Sequence, residues 1–505
     1  MKFALLTSIV LSLAQSIRAA DNDNANILDN GYQCVGTFIF GRHNDRTAKP
    51  ANVLTTYGQV EQVDSGNFYR ERYFGLDGEG TSVASGYKID GLNPEGYFVY
   101  GDTYAQAPAS SVILYSQISF LQGLYPPSTA VNTVNSLEVA DKSGLANGTS
   151  VVGPFDGYQY VFMDVQQPDS ENYIWIKGDS DCPASDDAIA TWTKSDTFKS
   201  LNESTLGFYQ GLEEYLPAGT FKKSELNFGS AMAIYDFMNV NYIHNETLAK
   251  EWNEELVYKV KILADQAQWG ISYSSEEKLA DFTIGGQSLL GGVYNYLNET
   301  KVNGSPYINY FTGSYNTMYQ IAGLLGLNEV SADFTGMPDY GATYVWDLLK
   351  NTDGDYFVQF SFKNGTADED VLNTYPLFNQ SEVILKWDDF ETQIKKVSLR
   401  SLEAWCNACG SEASMCVQYS KTYVNALNKS SLTLADAGGI GAGVTIGVFL
   451  IFGLLGLLFV KYYKNKKTST PDHILPVTVA DSHTVSSNDH SVSSVEKFES
   501  DSDSH

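Results

Sequence analysis

The sequence predicts an α/β fold, a mostly parallel sheet flanked by helices, with an inserted helical cap subdomain and one transmembrane helix. Three observations carry this prediction. Short apolar runs rich in β-branched and aromatic residues end at glycine turns three times along the chain, and two of those turns lead directly into a helical pattern. A long helical stretch separates the second unit from the third, and an uncharged segment of membrane-spanning length lies near the C-terminus.

In chain order, Lys2 precedes an apolar run from Phe3 to Leu13 and the small pair Ala19-Ala20, the layout of a cleaved secretory signal over residues 1–20. Val35 to Phe40 reads as a buried strand that turns at Gly41 into Arg42 and His43. Gly96 to Tyr100 reads as a second strand ending at Gly101-Asp102, followed by a helix over Ser110 to Gln122. Tyr307 to Thr312 reads as a third, ending at Gly313-Ser314, with a helix from about Asn316 to Leu325. Parallel α/β sheets bind ligands at the carboxyl ends of their strands, so the chemistry is expected at these three turns. Residues from about 130 to 285 carry helical patterns such as Glu246 to Trp269 and are too long for a crossover, hence the cap.

The folded region is expected to end near residue 435. Ala437 to Val460 within the span 436–460 holds no charge and is long enough to cross a bilayer. Lys461, Lys464, Lys466 and Lys467 follow, and cations beside a span stay on the cytosolic side. Residues 461–505 are then a disordered cytosolic tail, with Ser500 to Ser504 as a phosphorylation segment. The topology is single-pass type I, in a plasma, vacuolar or endosomal membrane. Glycosylation acceptors at Asn147, Asn202, Asn245, Asn298, Asn303, Asn364, Asn379 and Asn428 all fall on the lumenal side. Gly439, Gly443 and Gly447 recur at the spacing of a helix-dimerisation face, which suits a homodimer.

A formal net charge of -28 argues against a nucleic-acid partner, which requires basic patches. Cys34, Cys182, Cys406, Cys409 and Cys416 are expected to form two disulfides and leave one thiol, with the connectivity open. Cys406-x-x-Cys409 has no nearby histidine, so neither a metal site nor any other cofactor is expected.

Arg42-His43-Asn44-Asp45-Arg46 sets an imidazole between two guanidiniums just past a buried strand. Guanidinium forks bind phosphate oxygens in bidentate fashion and an imidazole can attack phosphorus, so Arg42 and Arg46 are candidate phosphate ligands and His43 a candidate nucleophile. This stretch resembles the Arg-His-Gly-x-Arg signature of the histidine acid phosphatase family, in the branch that contains fungal acid phosphatases and phytases. Leu54-Thr55, Gly58, Gln62, Gly66 and Tyr69 to Tyr73 are similar to the helix that follows the signature, and Phe120 to Pro126 and Tyr242 to Asn245 resemble fungal members.

The resemblance implies a phosphohistidine mechanism in which an acid protonates the leaving oxygen and a third Arg and a second His bind the transferring group. In this sequence those positions fall on Val112, Ser314 and Tyr315, and the Gly after the nucleophile is Asn44. Of the six histidines, at 43, 244, 473, 483, 490 and 505, only His244 could be a second lumenal one, and it is expected to be exposed and structural. Tyr315, Asp45 and Asp102 are the remaining candidate proton donors. The implied function is a membrane-anchored glycoprotein with impaired catalysis that binds an anion, such as a phosphate-containing ligand, or a surface partner. The alternative is an active acid phosphatase that hydrolyses phosphomonoesters through His43.

Overall fold

The computed structural model describes Ile27 and residues 30–128, 145–149, 151, 153–273, 279–367 and 371–420. The expected signal, the span with Gly439, Gly443 and Gly447, the cytosolic tail and Asn428 lie outside the described residues. Among those described, no helix is long and apolar enough to cross a membrane.

The chain opens with β1 (Tyr32–Arg42), α1 (Thr56–Phe74), β2 (Thr103–Pro108), α2 (Ser111–Leu124) and β3 (Asp164–Gln166). The principal helices α3 (Pro183–Trp192), α4 (Asp196–Gly211), α5 (Ala231–His244), α6 (Glu254–Ser272) and α7 (Ile284–Asn303) follow. Then come β4 (Ile308–Gly313), α8 (Tyr315–Leu324), β5 (Thr343–Asn351), β6 (Tyr356–Lys363), β7 (Asn373–Tyr375), β8 (Ile384–Lys386), α9 (Trp387–Ile394) and α10 (Leu402–Cys409).

These strands form one eight-stranded sheet in the order β3-β2-β4-β1-β5-β6-β7, with β8 also on β6. The half from β3 to β1 is parallel, whereas β5 to β8 run antiparallel, so the sheet is mixed rather than mostly parallel. The reason is a short connection. Asp353-Gly354 joins β5 to β6, with Gly354 at φ 91°, and an Asp-Gly pair between two apolar runs is a hairpin signal that cannot reverse into a parallel strand.

A second correction concerns Gly96 to Tyr100, which is irregular; the strand is Thr103–Pro108, one turn later. Backbone groups of the expected strand go to side chains instead. Gly96 O accepts from buried Arg70 at 2.9 Å and Phe98 N donates to Gln159 Oε1 at 2.8 Å. Consequently Asp102 precedes β2 and sits at its amino end. In register terms Thr103 pairs with Ile308 and Arg42 with Gly313, a separation of roughly 17 Å along the strands. Asp102 is thereby removed as a proton donor for His43.

Both faces of the sheet are covered, as the period of two in β1 requires. Phe38 and Phe40 pack with Leu289, Leu290, Met318 and Trp346 on one face; Ile39 packs with Tyr69, Tyr73, Phe120 and Val345 on the other. The cap has a separate core around Tyr209, Met238, Trp252 and Val260. Its expected helix over 246–269 is two helices, because Asn253 ends the first and caps α6 by accepting from Leu256 N at 2.8 Å. Strand β3, inside the expected cap range, joins the sheet edge. Disulfides Cys182–Cys409 and Cys406–Cys416 tie α3 and the segment after α10 to α10, and Cys34 is buried with a free thiol.

The packing of α1 against α2 has no room for side chains at the crossing. A Cβ on Gly66 would lie 2.1 Å from Phe120 O, and one on Gly123 only 1.9 Å from Val63 O. Both clashes are with backbone, so a methyl group there forces the helices apart. Gly123→Ala is expected to destabilise the fold by about 1–3 kcal/mol, read as a lower urea midpoint with an unchanged slope. An unchanged midpoint would show that the helices separate freely.

Candidate functional site

Parallel pairing of β1 with β4 places Arg42 opposite Gly313, and His43 N donates to Gly313 O at 3.0 Å. The residues after each strand therefore meet in one crevice: Arg42 to Arg46 from the first, Ser314 and Tyr315 from the second. Because β5 is antiparallel to β1, its amino end reaches the same place, and Pro338 to Ala342 form a third wall. Sequence reading missed this wall; its signal was the Pro-Asp-x-Gly turn composition just before a strand.

His43 is buried. Its Nδ1 lies 2.9 Å from Asn44 O, and since a carbonyl only accepts, Nδ1 carries the hydrogen and Nε2 the lone pair. Burial and then the guanidinium of Arg42, with smaller contributions from Arg46 and Lys177, hold its pKa well below the usual 6.5. The ring is thus neutral and nucleophilic in form. Lys177, just ahead of the Gly178 turn, is a nearby cation that sequence reading did not identify.

The two arginines are engaged by the protein itself. Arg46 makes a two-pronged ion pair with Asp236 of α5 and donates to Thr47 O at 3.2 Å. The Arg42 guanidinium donates to Pro338 O and lies between two rings, 5.0 Å from the Tyr315 centroid and 4.4 Å from that of Tyr340. Val112, where the resemblance places a third Arg, is buried in an apolar cluster with Leu54, Ala107 and Ile113. Backbone N–H of Asn44 donates to Ser116 Oγ at 3.0 Å, so the loop is anchored to α2 instead.

Asp45 is buried, not aimed at a leaving group. Its Oδ2 accepts from Thr55 Oγ1 and meets His244 Nε2 at 2.8 Å. His244, at the end of α5, is solvent-exposed as expected, yet it is tied into the signature loop through Asp45. Ser314 is the N-cap of α8 without a side-chain cap bond. The Tyr315 phenol is buried and its pKa is raised above 10, chiefly by burial, so it holds its proton rather than giving it up.

Above the loop is a cavity of about 390 Å³, lined by Arg42, Asp45, Asp236, Tyr315, Tyr340 and residues of α1 and of the 365–367 segment. His43 is not in its wall. Among the described residues no cluster of His, Cys, Asp and Glu is arranged to hold a metal ion.

The lowered pKa of His43 has a sign that can be measured. As pH falls below about 6.5 the unfolded chain takes up this proton before the folded one, so the folded state loses up to about 1.4 kcal/mol per pH unit from this group, and nothing above pH 7. Replacing His43→Asn should flatten the fall in urea-denaturation stability between pH 7 and pH 5; parallel profiles for the two proteins would refute the assignment.

A family model for the histidine phosphatase superfamily (branch 2) matches residues 42–363, more than half of the chain. No curated protein sequence matches it. Among solved structures, Hafnia alvei phytase in complex with tartrate aligns at 12% identity and a TM-score of 0.51, covering 74% of this chain and 98% of the phytase. The same phytase in complex with myo-inositol hexakis sulphate covers the same shares, 74% and 98%, at 12% identity and a TM-score of 0.50. The phytase from D. castellii aligns at 10% identity with a TM-score of 0.41, over 80% of this chain and 86% of its own. These likenesses are of fold, and the signature loop at the carboxyl end of β1, matched by the family model, makes the chain a member of branch 2 of the histidine phosphatase superfamily.

Proposed function

We propose that this chain uses the histidine phosphatase fold to bind a ligand, with hydrolysis impaired. The observation that carries the reading is the pairing of β1 with β4, which sets Ser314 and Tyr315 beside Arg42 and His43, where the reaction needs an acid and a second imidazole. Attack of His43 Nε2 on phosphorus breaks the bond to the leaving oxygen, which must gain a proton. A buried phenol with a raised pKa supplies it poorly. Loss of a general acid costs ~10²–10⁴ in rate, and loss of a charge-stabilising donor roughly 10²–10³.

An anion entering the crevice must also displace Asp236 from Arg46 and the Pro338 carbonyl from Arg42. Binding of a phosphate-containing ligand is weak on this reading, and Asp236→Asn should strengthen inorganic phosphate binding by about tenfold, the change one charge-assisted bond supports. Calorimetry that finds equal affinity in both proteins would rule out Asp236 as a competitor.

One observation favours the second reading, an active acid phosphatase: the neutral His43 with its Nε2 lone pair free. Phosphomonoester assays from acidic to neutral pH decide between them. The expected result is a rate indistinguishable from that of His43→Ala, and a measurable gain in the double substitution Ser314→His, Tyr315→Asp. Turnover that disappears in His43→Ala makes the enzyme reading correct.

The proposed setting is a glycoprotein anchored by residues 436–460 in a membrane of the secretory pathway. Two disulfides support an oxidising compartment. Asn147, Asn303 and Asn379 are exposed and Asn202, Asn245, Asn298 and Asn364 partly so, which leaves their side chains open to a glycosyl donor. Endoglycosidase treatment should lower the apparent mass of the protein from its native host; no shift would remove the glycoprotein assignment.

A further inference from the structure

The cavity over the signature loop has the wrong charge for a phosphate. Four carboxylates line it, Asp45, Glu61, Asp236 and Asp339, against the single guanidinium of Arg42. Arg46 balances Asp236, and buried Lys363 spends its Nζ on the carbonyls of Gly365, at 3.2 Å, and Ala367, at 3.1 Å. Negative charge therefore exceeds positive at the cavity wall. The aromatic walls suit the same charge. Arg42 already shows what a cation does here, sandwiched by the rings of Tyr315 and Tyr340.

A second, independent observation points to a missing donor. Asp45 is 1% exposed, lines the cavity, and its Oδ1 has no hydrogen-bond partner, although Oδ2 is satisfied by Thr55 and His244. A buried carboxylate oxygen left in this state is costly unless something supplies an N–H or O–H. The neighbouring Glu61 is raised in pKa by burial, and further by Asp45 and Asp64 against the hydrogen bond from Tyr57, which again marks negative charge without a counter-ion.

We propose that this cavity binds a small organic cation carrying a primary ammonium group, with Asp45 and Glu61 as its counter-charge and the tyrosines as its walls. Such a ligand supplies the N–H that Asp45 Oδ1 lacks, and a volume of about 390 Å³ is within the range of small-molecule sites. The proposal rests on the non-catalytic reading and names its ligand class.

The test is calorimetric titration of the full-length chain at pH 7 and physiological salt with benzylamine, its uncharged analogue benzyl alcohol, and inorganic phosphate. Saturable one-to-one benzylamine binding is expected, about tenfold or more tighter than benzyl alcohol, the margin a charged hydrogen bond supports. Glu61→Gln should weaken it about tenfold and Thr366→Trp, which fills the cavity, should abolish it, while Glu254→Gln with Glu255→Gln on the exposed start of α6 should leave it unchanged. Two variants keep the test decisive if one of them melts early. No saturable binding, equal affinity for benzyl alcohol, tighter binding of phosphate, or binding that survives both cavity variants would each overturn the proposal. The phosphomonoester assay is a separate readout: His43-dependent turnover sinks the reading beneath it, whereas failed benzylamine binding without turnover sinks this inference alone.

Discussion

The constraint on which the site depends is the register of β1 against β4 in the middle of the sheet. Two parallel strands in this alignment must deliver whatever follows them to one point, so Arg42 to Arg46 and Ser314-Tyr315 meet regardless of what chemistry they carry. Antiparallel β5 on the other side of β1 brings Pro338 to Ala342 to the same edge. Register is strongly specified because both faces of β1 are buried; a slip by one residue would exchange Phe38 and Phe40 with Ile39 across the sheet. The crevice is thus a product of core packing, and it persists when the residues within it change.

What has changed is where the counter-charges come from. In a site built for phosphate, guanidinium donors are held open for ligand oxygens. Here a carboxylate from the cap, Asp236, sits on Arg46, and the ring faces of Tyr315 and Tyr340 cover Arg42. Both substitutions work in the same direction, lowering the positive potential at the mouth while leaving the buried His43 in its neutral form. Val112, turned into an apolar cluster, removes the remaining candidate for a third charge.

Much of this was legible in the sequence, and the failures have physical causes. The strands ending at Arg42 and Gly313 were visible because continuous apolar runs bounded by glycine mark strands buried on both faces. Thr103–Pro108 was hidden because its residues, Thr-Tyr-Ala-Gln-Ala-Pro, are mostly small or polar, while the more apolar Gly96 to Tyr100 bonds to Arg70 and Gln159 rather than to a neighbouring strand. The antiparallel half was announced by Asp353-Gly354 and went unread. Arg42, His43 and Arg46 were found from local spacing, but Asp236 and Tyr340 are 190 and 294 residues beyond Arg46, and no local pattern ties a cap helix to a turn in the sheet domain. His244 shows the limit of exposure as a guide: it is exposed on the surface side and still bonds the most buried acid of the loop.

The persistence of the Arg-His-x-x-Arg motif does not require turnover. Arg46 and Asp236 form a mostly buried pair that joins the signature loop to α5, and His244 with Asp45 forms a second joint from the same helix. Removing one member of such a pair leaves the other charge without its partner and costs ~3–5 kcal/mol, a large fraction of the stability of a typical domain. Arg42 is held in a comparable way, by Pro338 and two aromatic faces. Once the cap has come to depend on these contacts, the residues that bound phosphate in an ancestor are retained as structure. The motif at β1 therefore reports how the cap is fastened, and the residues after β4, which carry no such contacts with it, report whether the chemistry survives.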